Sequence, residues 1–119
     1  MLTFNLKKEW FDKIKSGEKT HEYREMSDSW ISKLVPKNFM MDCYQNLDIP
    51  FSEKTKCCNL VLGYPPTKKN PEKAKNRVLF AKILKITANV DGKQTDLYKI
   101  NPNVEDVFDI EFELIKEKR

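Results

Sequence analysis

The sequence predicts an α+β fold, a small mixed β-barrel of about five or six strands with two or more flanking helices. Three observations predict it. Apolar and polar residues alternate with period two at both ends, from Leu2 to Leu6 and from Val107 to Leu114. Apolar residues at helical spacing occur early, around Trp10 to Ile14 and Trp30 to Leu34. Turn residues punctuate the rest, at Gly63, Pro65-Pro66 and Asp91-Gly92. The 119 residues suit one domain, spanning 1–119. A domain of that size buries enough apolar surface to fold without disulfides or a metal.

The elements follow in order. Leu2, Phe4 and Leu6 alternate with Thr3 and Asn5, which makes a short strand with one buried face. Trp10, Phe11 and Ile14 lie at i, i+1 and i+4, so an amphipathic helix runs from about Lys7 to Ser16. Gly17 stops it, because glycine takes the left-handed C-cap conformation without penalty. Glu18 to Arg24 alternate as a second strand. Ser27 or Asp28 caps a short helix carrying Trp30, Ile31 and Leu34, and Pro36 ends it.

Residues 37–56 carry no clean period, and a strand around Phe39 to Cys43 followed by a loop is the expectation there. "CCNLVLGY" is a strand stopped by Gly63 and Pro65-Pro66. The proline-rich, basic stretch that follows reads as an exposed loop. A strand and a helix compete for Arg77 to Ile86, and the hairpin signal Asp91-Gly92 favours strand up to the turn. "VFDIEFELI" alternates cleanly as the last strand.

Composition narrows the function classes. Twenty-two Lys and Arg against 18 Asp and Glu leave a net charge of +4, which permits phosphate contacts without demanding nucleic acid. Cys43, Cys57 and Cys58 form no CxxC, and their odd number argues against a disulfide framework. One histidine without a partner histidine leaves no metal site and no cofactor to expect. No apolar run approaches the ~20 residues of a membrane span, and no secretory leader is recognisable. A cytoplasmic protein is the expectation.

The chemistry concentrates in "GEKTHEYR", Gly17 to Arg24. A strand would put Thr20, Glu22 and Arg24 on one face and Lys19, His21 and Tyr23 on the other. Lys19 reaches the Glu22 face only from the turn after Gly17, or across a bulge. The plain reading is an edge strand with solvated charges. The functional reading has Glu22 and Arg24 bracketing a ligand. His21 reads either as a surface or partnered residue or as a direct participant. Tyr23 and Tyr64 read as packing or as stacking platforms.

The spacing Gly17-x-Lys19-x-x-Glu22-x-Arg24 after a helix with an early aromatic resembles the ASCH domain, a branch of the PUA-like superfamily. "FDKIKSGEKTHEYRE", "NLVLGYPP" and "RVLFAKILKI" are similar to small bacterial and phage members, so the likeness covers most of the chain loosely. It implies a small barrel with a cleft beside the charged strand, lined by Lys19, Glu22 and Arg24. Superfamily members bind RNA or modified bases. RNA, a nucleotide or a nucleoside is therefore the implied partner, with Thr20, Tyr23 and Tyr64 as further contacts.

The chemistry of those residue types agrees. Arginine meets phosphate or stacks on a base, a carboxylate accepts from an exocyclic amine, and an aromatic ring carries an unpaired base. Some ASCH-type proteins resemble amidohydrolases that remove an acyl group from a modified cytidine. These have lysine at the Lys19 position, threonine where this chain has Glu22, and a further acid, for which Asp91 and Asp96 fall in a plausible region. Base or RNA binding is thus the leading expectation. A small amidohydrolase with Lys19 and Glu22 as its acid–base pair is the second. An interaction protein without a ligand cleft is the third.

Overall fold

The computed structural model describes residues 2–63 and 77–115. Tyr64 and the expected basic loop after it lie outside the described residues. The chain runs β1 (Leu2–Leu6), α1 (Lys8–Lys15), β2 (His21–Glu25), α2 (Asp28–Leu34), β3 (Leu47–Ile49), β4 (Cys57–Leu62), β5 (Val78–Asp91), a 3-10 turn (Gly92–Gln94), α3 (Leu97–Ile100) and β6 (Asp106–Leu114). The six strands form one sheet in the order β1-β4-β5-β6-β2, with β3 also paired to β5. It curls into a half-barrel with the helices around it, an α+β fold. β1 runs parallel to β4, and the other pairs are antiparallel.

β5 is the spine. Its first half pairs with β4, from Val78 to Lys82, and its second half with β3, from Ile86 to Ala88. Two register shifts against β6, at Ile83/Lys85 and Thr87/Val90, bend this 14-residue strand. Phe4, Leu60, Ile86, Phe108 and Ile110 fill the concave side, each at most 1% exposed. α1 closes over them with Phe11 and Ile14, and α2 with Leu34. Each such side chain stabilises the fold by roughly 1.5–3 kcal/mol. No helix among the described residues is long and apolar enough to cross a membrane.

The structure corrects the sequence at two places. Phe39 to Cys43 form no strand, and the third strand comes later, at Leu47–Ile49. The carbonyls of Asp42 and Tyr44 accept hydrogen bonds from Asn89 Nδ2 at 2.7 and 2.8 Å, so a buried side chain holds this segment instead of a ladder. Asn89 itself has φ 56° and sits at the second register shift. At Asp91-Gly92 the strand ends as expected, but no two-residue hairpin follows. Asp91 Oδ1 accepts from Lys93 N at 3.0 Å and caps the 3-10 turn. Gly92 instead meets the chain leading into β6: a Cβ there would lie 2.2 Å from the Glu105 carbonyl oxygen. The detour includes α3, a helix that no periodicity announces.

Candidate functional site at the open edge of the sheet

β1 and β2 are the two ends of the strand order, and they do not pair with each other. Arg24 bridges that gap. Its Nη2 donates to the Asn5 carbonyl on β1 at 2.9 Å and to Glu22 Oε2 on β2 at 2.8 Å. Its guanidinium carbon lies 5.3 Å from the centre of the Phe4 ring and 5.2 Å from that of Trp30, within cation–π range. Phe4 and Trp30 stack on one another, 5.1 Å apart and 9° from parallel. Arg24 Nε is buried with no hydrogen-bond partner among the described residues.

Glu22 points inward from β2 and is 7% exposed. Oε1 accepts from Tyr23 N at 3.2 Å, and Oε2 takes the arginine. Burial pushes its carboxyl above the usual 4.5, and the charges of Arg24 and Lys19 pull the other way without cancelling the shift. The protonated form is therefore more accessible than in an exposed glutamate.

Lys19 stands before β2, in the turn that Gly17 opens with φ 85°. Lys19 N donates to the Lys13 carbonyl at 3.0 Å, which ties the turn back to α1. Freed from strand alternation, its ammonium sits 5.0 Å from the Trp10 and Tyr23 ring centres and donates to Asp96 Oδ2 at 2.8 Å. Asp96 immediately precedes α3, so the unannounced helix supplies one wall.

Together these side chains line a cleft of about 370 Å³, with Trp10, Trp30 and Leu97 as its apolar surfaces. That is the size of a small-molecule site, for which roughly 300–1,000 Å³ is usual. Its charged lining is balanced: Lys7, Lys19 and Arg24 against Glu22, Glu25 and Asp96. Such a site suits a flat, polar, uncharged group better than a free anion. Among the described residues, no three His, Cys, Asp or Glu side chains converge as a metal site.

Of the residues singled out in the sequence, Lys19, Glu22, Tyr23 and Arg24 meet in the cleft. Thr20 does not line it. It faces a neighbouring hollow, and its carbonyl accepts from Phe112 N at 3.0 Å. Asp96 lines the cleft, whereas Asp91 is occupied as a cap. Sequence reasoning gave Trp10 and Trp30 to helix packing and missed them here. One signal was present: Trp10 and Phe11 are adjacent, so both cannot face the core. Phe11 is the buried one, and Trp10 is left at the cleft. No family model, curated protein or solved structure matches this chain.

Proposed function

We propose that the protein is an ASCH-type, PUA-like base-binding protein whose cleft holds a nucleobase, carried by a nucleoside or by an unpaired nucleotide of RNA. One observation carries this reading: a buried carboxylate paired with a half-buried guanidinium stands among Trp10, Tyr23 and Trp30 in one small cleft. Aromatic faces stack on a base, and Glu22 takes an exocyclic amine as carboxylate or a ring acceptor when protonated. The balanced charge favours the base over the phosphate as the recognised part. Three free cysteines fit a reducing, cytoplasmic setting.

Calorimetric titration with the four ribonucleosides and a short single-stranded RNA tests the reading. Saturable binding is expected, weakened at least about tenfold in Lys19→Met and in Glu22→Gln, with the circular dichroism spectrum retained. That factor corresponds to about 1.4 kcal/mol. Absence of binding, or binding indifferent to both substitutions, ends it.

A second reading rests on the contact of Lys19 with Asp96. A lysine, its acid partner and a buried glutamate in one cleft have the composition of an acid–base site for hydrolysing an amide on a modified nucleoside. Turnover of an N4-acylated cytidine, lost in Lys19→Met, is the result it requires.

A further inference from the structure

Beyond the cleft, β2 continues into a second hollow of about 280 Å³. The two share Trp10, Lys19, Tyr23 and Asp96, so one partition separates adjoining spaces. The second hollow adds His21, Lys13, Thr20 and Glu18. His21 and Tyr23 project from the same side of β2, with ring centres 6.3 Å apart and planes 15° from parallel. They make two successive aromatic faces along one strand.

We infer that the protein takes two consecutive nucleotides of a single strand, one base in the cleft and its neighbour on His21 in the adjoining hollow. This rests on the base-binding reading of the cleft and extends it to the class of ligand, an oligonucleotide rather than a free nucleoside. Successive bases of a single strand stack on successive aromatic side chains, and this needs no base pairing. The His21 side chain is 36% exposed, so its ring is reachable. Its Nδ1 lies 2.7 Å from Asp109 Oδ1 on β6, which fixes the plane of the ring before any ligand arrives.

The junction between the hollows suits the linking phosphate. Lys13 and Lys19 hold their ammonium groups 5.1 and 5.0 Å from the centre of the same Trp10 ring. Asp96 already pairs with Lys19, Glu9 lies 3.9 Å from Lys13, and Glu18 lines the hollow. These acids hold the surplus positive charge low, so the second nucleotide gains chiefly by stacking and only modestly by charge.

The test compares three sets of probes by calorimetry: the four ribonucleosides, their 3′-monophosphates, and ribodinucleoside monophosphates in both orders. The best dinucleotide is expected to bind about tenfold tighter than its better-bound nucleoside, with the monophosphate in between. His21→Ala removes the advantage of the dinucleotide over the monophosphate. His21→Phe keeps it, which separates stacking from charge. Both variants leave nucleoside affinity within about twofold, a check that the cleft is intact. Nucleoside binding with no dinucleotide gain, or a gain that survives His21→Ala, overturns the second subsite and leaves the first standing. No binding of any probe overturns both.

Discussion

Glu22 is a carboxylate that the fold has taken almost entirely out of water, and its stability consequences are specific. Arg24, 2.8 Å away, is its partner. Arg24 is only half-buried, but removing it leaves the buried Glu22 carboxylate uncompensated. Arg24→Ala is therefore expected to destabilise the protein by about 3–5 kcal/mol in urea unfolding. The double replacement Glu22→Leu with Arg24→Met should cost less than Arg24→Ala alone.

The pH dependence has a definite sign. The folded-state pKa of Glu22 lies above its usual 4.5 because burial disfavours the charge. Between those two values the folded protein keeps a proton that the unfolded chain has lost. The stability Glu22 contributes is thus complete below 4.5 and declines as pH rises through the folded pKa. Glutamine does not titrate. The stability of the native protein relative to Glu22→Gln should fall across that window, measured by urea unfolding from pH 4 to 8. A difference that stays constant contradicts the assignment.

At the scale of elements, the turn between α1 and β2 decides whether Lys19 reaches the cleft. Gly17 has φ 85°, and an added Cβ there meets no atom within 4 Å. Any cost of Gly17→Ala is then backbone strain without a clash, about 1–2 kcal/mol. The substitution should also loosen the contact of Lys19 with Asp96, seen as weaker ligand binding beyond the loss of stability. This turn was legible in the sequence because a helix stop and a left-handed glycine coincide in one residue. β1, α1, α2 and β6 were legible for a similar reason: each buries one face, and burial writes its period into the chain.

The unread parts lack that signature. α3 is a single turn of four residues, none of them buried, too short for a period to show, yet Leu97 and the preceding Asp96 line the cleft. β3 is three residues long, too short for a period to show. The segment before it is held by Asn89, a residue more than 40 positions away, roughly the reach that local pattern cannot span. Asp91-Gly92 misled because the same dipeptide serves a hairpin turn or a close backbone approach, and only the Glu105 carbonyl decides between them. Lys19, Glu22 and Arg24 were singled out through the resemblance of their motif, since strand alternation alone puts Lys19 on the other face from Glu22 and Arg24. Their aromatic company was not, since a tryptophan beside a core residue reads as packing until the fold shows which of the two is buried.

For the whole molecule, the half-barrel is what makes a site possible. A closed sheet would pair β1 with β2 and leave no opening between them. Here the two ends stay apart, bridged by one guanidinium, and helices from both ends of the chain roof the opening. Both of the chain's tryptophans line it, and Trp10 also borders the adjoining hollow, so their fluorescence reports on these two spaces. The most direct measurement is a tryptophan fluorescence titration with ribonucleosides at low and at high salt. The account predicts saturable quenching by at least one nucleoside that changes little with salt, because a neutral base in a charge-balanced cleft releases few counterions. No change with any nucleoside, or a change only with polyanions that high salt abolishes, contradicts it.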